Sequence, residues 1–131
     1  METKMIWANL AVKDLEITAK FYSDLGFKPN GTFNADLVSF LFGKDNFIIH
    51  FFLAKQFKNA ARLENAALNT GTEIIFSLSA DSREEVDLWL ERVKKAGATI
   101  YAEAEDFDKG YTFGFSDPDG HKFNVLYWPS Y

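Results

Sequence analysis

The sequence predicts an α+β fold made of two βαβββ modules, because the same order of local patterns occurs twice along its 131 residues. Each half begins with a strand-like run, "MIWANLAV" in the first and "TEIIFSLSA" in the second. An amphipathic helix follows each run, and three further strand-like segments follow each helix. We predict one domain over residues 1–131, with modules at 1–54 and 71–131 and a connector at 55–70.

Both helices have recognisable start and stop residues. Asp14 is a predicted N-cap for "LEITAKFYSDLG", and Gly26 ends that helix. Ser82 and Glu85 are spaced as a capping box before "REEVDLWLERVKKAG", which ends at Gly97. Each helix is therefore bounded by residues suited to its ends.

The remaining elements follow from strand and turn chemistry. The segment Asp117-Pro118-Asp119-Gly120 predicts a tight turn. The acidic segment at 103–109 is predicted to be a loop, and the Ala-rich connector is predicted to contain a short helix. The predicted strands after the helices are at 27–30, 37–42, 47–53, 99–104, 111–115 and 122–128.

Composition limits the classes of function. The chain is 47% hydrophobic and 17% aromatic, which is ample for a core, and its formal net charge is −5. That charge argues against nucleic acid and anionic membrane as partners. The absence of cysteine excludes disulfides, thiol nucleophiles and thiolate metal sites. With no signal-like or membrane-spanning run, we predict a cytoplasmic protein whose partner is a small molecule or another protein.

Two motifs resemble those of a known family. "NLAVKDLEITAKFYSDLGFKP" and "FSDPDGHKFNVLYW" are similar to the opening and closing signatures of the glyoxalase, bleomycin-resistance protein and extradiol dioxygenase superfamily, also called vicinal oxygen chelate proteins. Within it, the chain most resembles bacterial lactoylglutathione lyase-like proteins. The resemblance implies that the two modules curve into an eight-stranded, cup-shaped mixed sheet. Proteins with this fold have many different activities, so the resemblance is specific for fold rather than for function.

The resemblance also implies where a divalent metal would be held. The four ligand positions fall on Trp7, His50, Glu73 and Asn124. A catalytic metal needs about three good protein ligands and an open position. The indole of Trp7 cannot coordinate, and Asn124 offers only a neutral amide oxygen. His50 and Glu73 remain, which disfavours a tight metal site and extradiol cleavage and leaves room only for a loosely held Zn, Ni, Mn or Fe.

Strand periodicity predicts the pocket face independently of the resemblance, since residues two apart share a side. Trp7 goes with Asn9, His50 with Ile48 and Phe52, Glu73 with Ile75, and Asn124 with Lys122 and Leu126. The predicted cup is aromatic and apolar with a few polar groups, as small-molecule pockets usually are.

Three interpretations stay open. In a binding protein, Trp7 and Phe52 would stack on a planar ligand, with Asn9 and Asn124 alongside, and Glu73 would offer a counter-charge to a cationic guest. In a lyase- or isomerase-like enzyme, Glu73 would orient His50 as a general base. Alternatively, these two residues form a structural pair without activity.

A homodimer is also expected, because the resemblance implies that paired modules often form or border pockets across a two-fold interface. The aromatic side chains at the C-terminus, Tyr127, Trp128 and Tyr131, are compatible with such a contact.

Overall fold

The computed structural model describes residues 1–2, 6–44, 47–61 and 74–129, with the main chain alone at 60 and 61. The chain divides into two compact units, Met1–Thr70 and Gly71–Tyr131. Within the described ranges, no helix is long and apolar enough to cross a membrane.

The first unit contains a four-stranded mixed sheet. Its strands follow the order β1-β4-β3-β2, in which β1 runs parallel to β4 and the other pairs are antiparallel. The helix predicted in the connector is confirmed as α2, whereas residues 62–70 lie outside the described part of the chain. The elements are β1 (Trp7–Val12), α1 (Leu15–Asp24), β2 (Lys28–Pro29), β3 (Leu37–Phe42), β4 (Phe47–Leu53) and α2 (Ala54–Ala61).

The second unit repeats this arrangement. Its sheet has the order β5-β8-β7-β6, in which β5 runs parallel to β8 and the other pairs are antiparallel. The two predicted βαβββ modules and the α+β class are therefore confirmed. The elements are β5 (Ile75–Ala80), α3 (Arg83–Lys95), β6 (Thr99–Phe107), β7 (Gly110–Ser116) and β8 (Lys122–Tyr127).

The helix caps form as the sequence predicts. The Asp14 carboxylate accepts a hydrogen bond from the Ile17 amide at 3.0 Å, and the Ser82 hydroxyl accepts one from the Glu85 amide at 3.0 Å. Glu85 differs in one detail from an ideal capping box, since its carboxylate accepts from the Asp81 amide instead of the Ser82 amide. Each cap satisfies an amide that the helix leaves unpaired.

Tyr22 of α1 is the centre of the first core. Its ring stacks on Phe51 at 4.5 Å and contacts Phe40 and Phe42 at 5.6 and 5.7 Å between centroids. The Tyr22 side chain is 1% exposed, and Phe51 and Phe40 are fully buried. This aromatic packing fixes α1 on one face of the first sheet.

The second core is a stack of Phe side chains under α3. Phe115 lies parallel to Phe123 at 5.2 Å, and Phe113 lies 5.9 Å from Phe115. The buried side chains that α3 contributes to its unit are Val86, Leu90 and Val93. As in the first unit, one face of the sheet is covered by the module's own helix.

Strand β6 is longer than predicted. It continues to Phe107, so the acidic segment assigned to a loop lies mostly in the strand, and the turn at Asp108 has φ +53°. The Asp106 carboxylate accepts a hydrogen bond from Arg83 of α3 at 2.6 Å, and the Arg83 guanidinium lies 4.2 Å from the Tyr111 ring centroid. Neutralisation of this charge and antiparallel pairing with β7 explain why an acidic run remains extended.

The C-terminal aromatic side chains have contacts inside the second unit. The Trp128 ring lies 6.5 Å from the ring of Phe107, and a Cβ built on Gly110 would stand 2.7 Å from Trp128 Cε3. Tyr131 lies outside the described residues. Because Trp128 already packs within its own module, its apolar character is explained without a second chain, and the homodimer stays a prediction.

The two faces of β4 should differ in what a deletion costs. We expect Phe51→Ala to lower the free energy of unfolding by about 3–5 kcal/mol, because it leaves a cavity against Tyr22. Phe52→Ala, the matched control on the other face, should cost less than half as much, since Phe52 is only half-buried. Urea denaturation of both variants measures this, and equal losses would contradict the assignment of the faces.

Candidate functional site

We call the side of each sheet that points away from α1 or α3 its far face. Along β4, Ile49 and Phe51 lie on the α1 side, so strand alternation places Ile48, His50 and Phe52 on the far face. This is the face that the sequence predicts to line a pocket.

His50 lies at the centre of the far face of the first sheet. It pairs in register with Asn9 of β1 on one side and with Ser39 of β3 on the other. The Ser39 hydroxyl accepts a hydrogen bond from the Asn30 amide at 3.1 Å, and the Phe52 ring approaches the imidazole edge-on at 6.0 Å between centroids. His50 therefore has polar neighbours on both strands and an aromatic one along its own strand.

The imidazole of His50 is kept neutral by its surroundings. Burial lowers its pKa from the ordinary value of 6.5, because the charged form is poorly solvated there. At neutral pH the ring therefore carries one donor and one acceptor nitrogen. Its Nδ1 is buried and has no hydrogen-bond partner among the described residues.

Asn124 holds the corresponding place in the second sheet. It pairs with Ser77 of β5 and with Gly114 of β7, on the face away from buried Phe123 and Val125. Its Oδ1 is also buried and unpartnered within the described ranges. The third such atom there, Oε1 of Gln56, belongs to a side chain whose Nε2 already donates to Asp36 at 3.0 Å.

The repeat makes these two positions equivalent. In the first module His50 pairs with the third residue of β1, and in the second Asn124 pairs with the third residue of β5. Within the described residues, each module thus has a buried polar atom without a partner at the same register position. Buried polar groups are nearly always hydrogen-bonded, so a pair at equivalent positions calls for a functional explanation.

The same register identifies the counterpart of Trp7. Trp7 pairs with Ile48, two residues before His50, and Ile75 pairs with Lys122, two residues before Asn124. Ile75 is therefore the second-module equivalent of Trp7, and both side chains are about half exposed, at 48% and 52%. The sequence-based choice for this position, Glu73, precedes Ile75 by two residues and lies outside the described residues. Its predicted role stays a prediction.

The structure adds Tyr101, which the sequence reasoning missed. A register shift between Ile100 and Ala102 leaves Tyr101 bulged out of β6. Its ring lies against Gly114, where a built Cβ would stand 2.6 Å from Cε1 and 2.7 Å from the hydroxyl oxygen. Gly114 in mid-strand was the available signal, because an interior strand glycine often marks a close approach.

Lys122 completes this group on the far face of the second sheet. Its Nζ lies 4.7 Å from the centroid of the Tyr101 ring, a cation–π contact. Lys122 makes no ion pair within the described part of the chain. A cation, a phenol and a buried amide oxygen therefore occupy one face of this sheet.

The described residues do not fit a tightly held metal. Within the described ranges, no three His, Cys, Asp or Glu side chains form a group able to hold one. At the equivalent positions, Trp7 and Ile75 have no coordinating atom, His50 offers one imidazole nitrogen, and Asn124 offers a weak amide oxygen. Each sheet therefore offers at most one donor at these positions, which is fewer than the three protein ligands that a catalytic metal usually requires.

The sequence-predicted residues thus fall into three groups. Trp7, Asn9, His50 and Phe52 lie together on the far face of the first sheet. Asn124 lies on the far face of the second. Glu73 is outside the described residues, so its predicted pairing with His50 is not addressed by the structure.

Comparison with known proteins supplies an independent line of evidence. A sequence model of the Glyoxalase/Bleomycin resistance protein/Dioxygenase superfamily matches residues 4–125. A hypothetical protein from S. aureus is 34% identical, with 98% of this chain and 96% of that chain covered and a TM-score of 0.85.

More distant structures share the fold. A lactoylglutathione lyase from Agrobacterium tumefaciens is 20% identical, covers 99% of this chain and 97% of its own, and has a TM-score of 0.71. A fosfomycin resistance protein from Mesorhizobium loti is 18% identical, with 98% and 94% coverage and a TM-score of 0.70. No curated protein sequence matches the chain.

The pH dependence of stability should report the burial of His50. Because its folded-state pKa is lowered, the unfolded chain binds more protons between that pKa and 6.5. Stability should be fully present above pH 6.5 and fall as the pH decreases through this window. Comparing urea denaturation of wild type and His50→Gln from pH 5 to 8 isolates the effect. An NMR titration that placed the His50 pKa at or above 6.5 would contradict it.

Proposed function

Because the chain belongs to the glyoxalase/bleomycin resistance protein/dioxygenase superfamily, we propose that the far face of each sheet binds small organic molecules without a tightly held metal. The observation that carries this proposal is the pair of buried, unpartnered atoms, Nδ1 of His50 and Oδ1 of Asn124. Each is a polar group left unsatisfied within the described residues, at equivalent places in the two modules.

The energetic argument starts from the cost of such atoms. A buried polar atom without a partner costs about 1–3 kcal/mol, and a ligand that supplies the missing hydrogen bond recovers part of it. A protein gains nothing in stability by keeping two of them. They are best understood as groups held ready for the polar atoms of a ligand.

The neighbouring side chains favour a planar, partly apolar ligand. Phe52 lies beside His50, and Leu126 follows Asn124 by two residues on the same face of β8. Trp7 is about half exposed on β1, which leaves its ring available for stacking. Few polar groups among aromatic and aliphatic ones is the usual make-up of a small-molecule site.

A second candidate function is proton transfer with His50 as general base. The lowered pKa of His50 favours it, since the imidazole is then unprotonated and able to accept a proton at neutral pH. In this alternative Glu73 would orient the imidazole, as the sequence predicts. The product would be that of a lyase- or isomerase-like reaction on the same class of small molecule.

The binding proposal predicts opposite effects on stability and affinity. We expect His50→Phe and Asn124→Leu each to raise the free energy of unfolding of the ligand-free protein by roughly 1 kcal/mol, because each removes an unsatisfied buried atom. Each should also weaken binding of planar aromatic fragments about tenfold. Urea denaturation and ligand-observed NMR with a fragment library measure the two quantities.

Glu91→Leu is the matched control, since Glu91 is an exposed residue of α3 and lies away from the far faces. It should change neither quantity. A loss of stability in both test variants, with unchanged fragment binding, would show that His50 and Asn124 are structural.

Metal dependence separates the proposed function from metal-assisted chemistry. Treatment with a chelator should leave the fragment affinities of the wild type unchanged, because the described donor set lacks a third good ligand. Affinity lost to chelator and restored by Zn, Ni, Mn or Fe would contradict the metal-free proposal.

If proton transfer occurs, turnover of lactoylglutathione, followed by thioester absorbance, should be abolished in His50→Gln while binding is retained.

A further inference from the structure

We infer that Lys122, Tyr101 and Asn124 select the ligand by charge: they receive a small organic anion that carries a hydroxyl or N–H donor beside its negative group. This inference deepens the proposed function and rests on it. It assigns a chemical class that overall composition does not predict.

The geometry begins with Tyr101. The bulge in β6 and the missing side chain at Gly114 let its ring lie directly over β7, beside the strand that holds Asn124. Asn124 pairs with Gly114, and Lys122 pairs with the next residue of that face, Ser116. The three functional side chains therefore occupy adjacent positions on one face of one sheet.

Lys122 supplies the charge. Its ammonium lies over the Tyr101 ring at 4.7 Å, and no ion pair to it occurs within the described ranges. A ring face attracts a cation but accepts few of its hydrogen bonds, so ammonium N–H donors remain for an oxyanion. Of the β6 carboxylates that follow Tyr101, Glu105 pairs with Thr112 further along β7, and Glu103 and Glu105 are both exposed.

The two remaining groups define the rest of the ligand. The Oδ1 of Asn124, which has no partner among the described residues, is an acceptor and requires a donor, which a hydroxyl or N–H of the ligand would supply. Burial raises the pKa of the Tyr101 phenol above its ordinary value, so at neutral pH it is protonated and can donate to an oxyanion. Two donors for the anion and one acceptor beside them match a hydroxy acid better than an amine.

The overall charge of the chain favours the opposite class of ligand, since a formal net charge of −5 attracts cations. Local charge decides at short range, however, because exposed charges separated by more than about 8 Å are largely screened at physiological salt. A lysine in contact with the ligand therefore outweighs distant surface carboxylates. We accordingly replace the cationic guest expected from composition with an anionic one.

The test uses three matched probes on the full chain: salicylate, the neutral salicylamide and the cationic 2-hydroxybenzylamine. Isothermal titration calorimetry should show salicylate binding at least about tenfold more tightly than either analogue, as expected for a charge-assisted hydrogen bond. Lys122→Met, which keeps most of the aliphatic stem, should reduce salicylate affinity by about the same factor and leave salicylamide unchanged. Lys95→Met, on the exposed surface of α3, is the charge-matched control and should bind salicylate normally.

Gly114→Ala is a second variant that moves Tyr101 without removing it. The new Cβ would overlap the far end of the Tyr101 ring, which can swing away while the sheet stays intact. We expect this variant to remain folded and to lose salicylate affinity at least as much as Tyr101→Phe does.

The outcomes separate the inference from the function it rests on. Equal binding of salicylate and salicylamide, tighter binding of the amine, or an unchanged affinity in Lys122→Met would overturn the inference and leave the proposed function standing. Failure of all three probes in a protein that does bind other planar fragments also overturns the inference alone. Failure of every fragment overturns both.

Discussion

The structure depends on one constraint: in each module one helix, α1 or α3, packs on one face of a four-stranded sheet. In the first module α1 packs on one face of the sheet, where its Tyr22 stacks on Phe51 at 4.5 Å between ring centroids. In the second, three Phe rings and the apolar stripe of α3 do the same. The hydrophobic effect and aromatic packing on that face fix the sheets, and the far faces carry partly buried residues such as His50, Phe52 and Asn124. Function can change there while the core stays constant.

The internal repeat allows the far-face residues of the two modules to be compared position by position. Equivalent register positions hold His50 in one module and Asn124 in the other, and Trp7 in one and Ile75 in the other. Of these four positions, His50 is the one that holds a strong metal ligand. Both polar members nevertheless keep a buried atom that has no partner in the described part of the chain, so the two modules differ in chemistry but not in the availability of a polar contact. This is the physical basis for the proposal that the chain binds a small molecule without a tightly held metal.

Much of the fold was predictable because its signals are local. Asp14 and Ser82 cap the helices as their side-chain chemistry requires, and alternation along β4 and β8 identified the face that carries His50 and Asn124. What could not be predicted depends on pairing between strands. The length of β6 follows from its partner β7 and from Arg83 neutralising Asp106, and the position of Tyr101 follows from a register shift. The equivalence of Trp7 with Ile75 likewise becomes visible only through the strand register.

Gly114 has a wider consequence for how such a site can evolve. The hollow that it leaves is filled by a side chain from the neighbouring strand, so the volume near Asn124 is shared between two positions that are 13 apart in the sequence. A larger residue at 114 and a smaller one at 101 would exchange this volume without altering the core or the polar atoms around it. Substitutions at positions 101 and 114 would therefore change the size of ligand that fits beside Asn124 without changing the charge that the site prefers.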